Sequence, residues 1–171
     1  FNNTILLAGS APAITLRDGT GGLIRGNIIA ENAAGGLALT AMQGVRIYDN
    51  FFNNSVNTLI GTGVSGTWNV EKSPGINIVR GPFIGGNYWA DPDGTGFSET
   101  HPDLTGDGFC DEPFLFDGQT DHLPLVAPGE EVVVADFNAI PRTGEAPLSV
   151  RFYDYSTGPV DTWAWEFGDG G

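Results

Sequence analysis

Across residues 1–62 the apolar positions recur at an interval of 23 residues. Phe1, Ile24 and Ile47 share one column, Ile5, Ile28 and Phe51 a second, and Leu6, Ile29 and Phe52 a third. Further along the unit Ile14, Leu37 and Ile60 align, as do Leu16, Leu39 and Thr62. Thr4, Asn27 and Asn50 form a polar column just ahead of the apolar pair. Within each unit short apolar clusters alternate with glycine and asparagine, which reads as short strands joined by tight turns. A unit this short cannot bury its own apolar side, but stacked units can share a continuous core. Stacking at about 4.8 Å per layer sets like residues over like. Asparagine tolerates the left-handed backbone of a turn and can bond to the next layer. The pattern predicts an all-β solenoid with coils of about 23 residues. A leucine-rich repeat has a similar period, but its LxxLxLxxN pattern is absent.

The period breaks over residues 63–126. Two apolar runs, Ile76–Val79 and Pro82–Ile84, precede GGNYW (residues 85–89). This region reads as the last coil and a C-terminal cap over residues 1–126, with Tyr88, Trp89 and Phe114 closing the open core. Residues 127–134, APGEEVVV, read as a linker. Residues 135–171 carry alternating patterns, LSVRFYD and TWAWEFG, that predict strands. Trp163 and Trp165 flank Ala164 and so share one face of the expected strand, where core packing is the plain reading. Exposed, they would offer stacking surfaces to sugar rings.

Charge narrows the function. The net charge is −14, with one lysine and six arginines, and such a surface repels phosphate backbones. Nucleic-acid binding is excluded on that ground, whereas cation binding and solubility outside a cell fit. No apolar run of membrane-spanning length is present, so no membrane insertion is expected within this segment. A single cysteine, Cys110, excludes an internal disulfide framework. The opening FNNTILLAGS reads as the middle of a longer chain. About forty residues after the linker are too few to bury a sandwich core alone, so a longer native chain is expected at that end too.

Candidate chemistry concentrates in HPDLTGDGFCDEPF (residues 101–114), inside a window, 91–121, of nine carboxylates and no lysine or arginine. Asp103, Thr105 and Asp107 alternate, Gly108 follows, the Phe109 carbonyl comes next and Asp111 lies four residues beyond Asp107. An oxygen-ligand calcium loop spaces its ligands in this way, with a glycine where the chain turns sharply. Asp91 and Asp93 are a second source of ligands. The expected cofactor is therefore a structural Ca2+. Departures from an EF-hand are plain, because threonine holds the third position and Phe114 the twelfth. An acidic turn without metal is the alternative.

Copper prefers imidazole, thiolate and thioether. The candidates are His101, His122, Cys110 and Met42, with no paired spacing. Catalysis on acidic polysaccharides would draw on Arg17–Asp18, Arg25 or Arg46–Asp49, but the 23-residue register aligns Arg25 with Tyr48 and Arg46 with Leu23. No charged column results, and isolated surface charges are the plainer reading. Cys110 reads as a small buried apolar residue whose pKa is raised by the acidic surroundings.

The combination of NIVRGPFIGGNYW, GDGFCDEPF (106–114) and DHLPLV (121–126) resembles the end of archaeal and bacterial surface or periplasmic β-helix proteins often labelled as copper-binding. That resemblance implies a right-handed parallel β-helix without implying an activity. EAPLSVRF (145–152), STG (156–158) and WAWEFGDG (163–170) resemble the polycystic kidney disease (PKD) domain, an immunoglobulin-like β-sandwich, here incomplete. Together the resemblances imply a non-catalytic, extracellular cell-surface protein of the methanogen-type archaeal kind, built into a surface layer or filament. Its partners would be other surface-protein subunits or cell-envelope glycans. Two alternatives remain open: a carbohydrate-active β-helix enzyme with a PKD accessory unit, and a periplasmic copper-handling protein.

Overall fold

The computed structural model describes residues 3–129, 134–157 and 162–166, and the chain divides into two compact units, Phe1–Pro128 and Gly129–Gly171. In the first unit, short strands from successive passes of the chain pair in parallel. They are β1 (Thr4–Leu6), β2 (Ile14–Thr20), β3 (Leu23–Arg25), β4 (Ile28–Ala30), the long β5 (Leu37–Tyr48), β6 (Phe51–Asn53), β7 (Thr58–Ile60) and β8 (Ser65–Thr67). A hairpin of β9 (Ser73–Pro74) and β10 (Phe83–Ile84) then leaves the stack before β11 (Tyr88–Ala90) rejoins it. One sheet runs β1-β4-β6-β11, all parallel. A second gathers β2, β3, β7 and β8 on β5.

Pairs from the 23-residue reading recur in the register: Ile14 with Leu37, Leu16 with Leu39, and Ile24 with Ile47. Two columns differ. Ile5 stands over Ile29, Phe52 and Trp89, while Thr4 stands over Ile28, Phe51 and Tyr88. The step from the first coil to the second is 24 residues at this point, as the Asn3–Asn27 bond shows. The turn from β1 to β2 is one residue longer than the turn from β4 to β5, so the 23-residue step holds after it and slips by one before it, which exchanges inward and outward positions in β1. Ile60 pairs with Leu39 rather than Leu37, because the following turn is two residues shorter and Leu37 meets Thr58. Phe1 lies outside the described residues.

The inward column of Ile29, Phe52 and Trp89 is buried, and the Phe52 and Trp89 rings stack at 4.8 Å and 10°. Beside it run two ladders of asparagine. In the first, the Asn3 amide donates to Asn27 Oδ1 at 3.0 Å, Asn27 to Asn50 at 2.9 Å, and Asn50 to Asn87 at 2.9 Å. Each acceptor oxygen also takes the backbone N–H of the preceding rung. The polar column therefore begins at Asn3, not Thr4. A second ladder joins Asn32, Asn54 and Asn57 and ends on the Ala90 carbonyl. Such bonds satisfy the backbone groups that a tight turn would otherwise bury unpaired.

After β11 come one short helix, α1 (Phe97–Thr100), and the antiparallel pair β12 (Phe114–Phe116) and β13 (Gln119–Asp121). Phe114 and Phe116 pack on Trp89, and Phe116 also meets Trp68 edge-on. Among the described residues no helix is long and apolar enough to cross a membrane.

The second unit pairs β14 (Phe137–Ile140) antiparallel with β15 (Arg151–Asp154). Trp165 lies edge-on to Phe137 at 5.5 Å and tilted against Phe152 at 5.8 Å. The expected strand in TWAWEFG is not formed over 162–166, the part that is described. Trp163 there is 56% exposed, its indole N–H donating to Asp154 at 2.7 Å. The FGDG end (167–170) of the expected PKD motif lies outside the described residues.

Candidate functional site

The three motifs that follow the coils meet at one place. Phe109 bridges to Leu125, Cys110 N–H donates to the Pro124 carbonyl at 2.8 Å, and Leu125 N–H donates to Asn87 at 2.9 Å. Gly86 N–H reaches the Leu123 carbonyl at 2.9 Å. The paired glycines of GGNYW are what allow this approach. A Cβ on Gly85 would overlap the Phe109 ring, and one on Gly86 would overlap the Asp121 carboxylate. Tyr88, Ala90, Phe109 and Leu125 form the small buried cluster beneath.

Asp121, fully buried, takes the end of the first asparagine ladder. Its Oδ2 accepts from Asn87 N–H at 2.8 Å, the Asn87 amide at 3.2 Å and the Trp89 indole at 2.9 Å. Its Oδ1 accepts from Leu123 N–H at 3.1 Å. Desolvation pushes the carboxyl up to about 6, against the lowering pull of those donors. The sequence pattern places DHLPLV in the cap and assigns Asp121 no role. Its signal was only an aspartate where the ladder would call for another asparagine.

The seven residues expected to ligate calcium fall into two separate networks. Asp103 Oδ1 accepts from Gly106 N–H at 2.7 Å and Asp107 N–H at 3.0 Å, and Oδ2 from Gly108 N–H at 2.7 Å. Gly106 and Gly108, at φ +71° and +91°, supply the left-handed backbone that turns these donors inward. Desolvation acts to raise the Asp103 carboxyl, but the backbone donors from Gly108, Asp107 and Gly106 outweigh it and hold it below the ordinary range. Thr105 donates to Asp103 at 3.2 Å and to Asp111 at 3.3 Å, and Asp111 also accepts from Leu104 N–H at 3.0 Å. Phe109 contributes its N–H to Asp107 Oδ1 at 3.2 Å.

Asp107 has a partner that the local sequence could not show. Lys72, 35 residues earlier, donates to its carboxylate at 3.1 Å and to its carbonyl at 2.9 Å. The same ammonium sits 4.2 Å from the Phe83 ring centre. Asp91 and Asp93 belong to the turn before α1, where Asp93 is lowered chiefly by the Thr95 hydroxyl and Asp91 N–H bonds to Glu99 at 3.0 Å. Among the described residues no cluster of three or more histidine, cysteine or carboxylate groups is arranged to hold a metal. As folded, the loop is a carboxylate-centred turn whose Asp103, Thr105 and Asp111 oxygens lie close together and whose carboxylates are bonded by backbone donors and Lys72.

The softer ligand candidates are spread across the first unit. Met42 is buried in the coil core. His101 stacks on Phe97 at 3.8 Å, with Nδ1 3.0 Å from the Phe97 carbonyl. His122 is exposed, its N–H bonded to Asn69. Cys110 is buried, and burial pushes its thiol up to about 11. Of the basic residues, Arg25 bonds Asp49 at 3.3 Å, and Arg25 stands over Tyr48 and Leu23 over Arg46 in the register.

No curated protein and no solved structure matches this chain. A family model described as periplasmic copper-binding protein (NosD) matches residues 1–94. That description supports a periplasmic or extracellular location. The match spans more than half of the 171 residues and takes in all the stacked coils together with GGNYW. The chain belongs to the NosD family of periplasmic copper-binding proteins.

Proposed function

We propose that this chain is a non-catalytic structural segment of a protein held outside the cytoplasm. In this reading its coils are the closing turns of a right-handed parallel β-helix, followed by the start of an immunoglobulin-like PKD unit. The observation that carries it is the convergence of GGNYW, GDGFCDEPF and DHLPLV on one closed end, with Asp121 and Trp89 at its centre. Polar groups that would serve chemistry are committed to holding that end. Other surface subunits or envelope glycans are the partners that such a scaffold would meet.

Calcium is the cation that the Asp103–Thr105–Asp107–Asp111 spacing calls for, and the net charge of −14 favours any divalent ion nearby. It would have to compete with Lys72 for Asp107. Copper is the second reading, favoured by the family's description. Thermal melting of the full chain with each ion separates the two. The structural reading expects millimolar Ca2+ to raise the midpoint, Lys72→Met to enlarge that gain and Asp103→Ala to abolish it. Stoichiometric Cu2+ binding lost in His101→Ala, with no response to Ca2+, would establish the copper reading instead.

A further inference from the structure

A second polar feature lies where the stacked coils meet the β9–β10 hairpin, a cleft of about 520 Å3 bordered by Arg25, Arg46, Tyr48, Glu71, Ser73 and Pro74. That volume lies within the range of small-ligand sites. Parallel register sets Arg25 of β3 over Tyr48 of β5, with Arg46 two residues before Tyr48 on the same face. Both guanidiniums lie against the one ring, at 5.2 Å and 5.6 Å from its centre. Tyr48 is only 7% exposed, so the ring acts as a fixed base under the cations. Cation–π contact engages the flat face of a guanidinium and leaves its edge donors free.

Those donors have little else to bind. Arg25 commits its Nε to Asp49 at 3.3 Å, and among the described residues Arg46 has no carboxylate within ion-pair distance. Two cations are thus held beside one ring in a chain of net charge −14. A planar carboxylate fits the fork of a guanidinium in a bidentate manner. The rest of the lining adds the Glu71 carboxylate, which can accept from ligand hydroxyls and leaves the acid group to the arginines, the Ser73 hydroxyl, and apolar surface in Pro74. The overall negative field disfavours a dense polyanion such as a polyphosphate or a highly sulfated chain. What remains is a polyhydroxylated ring bearing a single carboxylate.

We propose that the Arg25–Tyr48–Arg46 cleft binds a carboxylate-bearing sugar, that is, a uronic acid residue of an acidic glycan. The site supplies the contact chemistry of the scaffold reading and rests on it only for the partner's setting. Calorimetric titration of the full chain with digalacturonate, its methyl ester and inorganic phosphate tests it. Digalacturonate binds, the methyl ester binds at least tenfold more weakly, and phosphate does not compete. Arg46→Ala weakens digalacturonate at least tenfold with an unchanged melting midpoint, and Arg46→Lys recovers part of the loss because it keeps the charge without the fork. No binding at millimolar digalacturonate, equal binding of the ester, competition by phosphate, or an unaffected Arg46→Ala variant each overturns the proposal. Melting with Ca2+ reads the scaffold separately, so failure of one leaves the other standing.

Discussion

Asp121 makes stability depend on pH in a direction opposite to ordinary acid denaturation. Its carboxyl moves from 3.8 to about 6 on folding, mainly through desolvation. The folded state therefore holds a proton more tightly than the unfolded chain does. The associated stability is fully present below about pH 4 and is lost as pH rises through about 6. A rise of about two units is worth roughly 3 kcal/mol. For a unit of this size that corresponds to a melting shift of roughly 10 °C between pH 4 and pH 7.

Asp121→Asn removes the titration while keeping the shape. One amide oxygen can still accept from Asn87 and Trp89, but the new amine faces the Leu123 N–H, which costs a hydrogen bond. The variant should be less stable than the parent at pH 4, and its profile from pH 4 to 7 should be nearly flat. Asp49 leaves a residual slope of the same sign, because burial raises its carboxyl as well. Asp103 and Asp93 act in the opposite sense, but below their ordinary values and so outside the window. Urea unfolding followed by tryptophan fluorescence measures both proteins at half-unit steps. Parallel slopes for parent and variant would show that Asp121 does not titrate in this range, and the reasoning would fail.

Three further outcomes follow from the same core. Asn50→Ala removes a fully buried rung that links Asn27 to Asn87 and also caps the Ile24 and Tyr48 carbonyls, so chemical denaturation should show a loss of roughly 2–4 kcal/mol. Gly86→Ala pushes a methyl group into the Asp121 carboxylate, and the same assay should show a loss of about 2–3 kcal/mol with loosening of the Trp89 environment in near-ultraviolet circular dichroism. Cys110, with its thiol near 11 and its side chain buried, should react with a thiol reagent at pH 8 only as fast as the cap opens; rapid labelling of the native protein would contradict the closed cap.

The periodic part of the chain was legible because like residues stack on like. Ile14 over Leu37 and Ile24 over Ile47 follow directly from the spacing. Where the spacing misleads, a turn has gained or lost residues that carry no side-chain signal. One extra residue before Asn27 moves Ile5 from Ile28 to Ile29, and a shorter turn moves Ile60 by two positions. The cap was visible only as three motifs. Their mutual contacts span 34 residues from Asn87 to Asp121 and 35 from Lys72 to Asp107, and no local period records such distances. For the same reason the acidic loop read as open to a cation, while its neutralising lysine stood outside the window.

The choice of aspartate at position 121 has a chemical reason that the ladder itself supplies. Every asparagine rung accepts through its oxygen from the previous coil and donates through its amine to the next. Such a chain of donors propagates for as long as another asparagine follows, because each rung brings two N–H groups that need acceptors. A carboxylate brings none. Asp121 accepts the backbone N–H of Asn87 and shares its side-chain amide with the Ile47 and Trp68 carbonyls, adds the Trp89 indole and Leu123 N–H, and passes nothing on. It can do so only where a backbone without Cβ lets it approach, which is the role of Gly86. The residue that ends the hydrogen-bond ladder therefore also fixes the last inward aromatic of the stack, and termination of the coils becomes a matter of donor and acceptor count at one buried side chain.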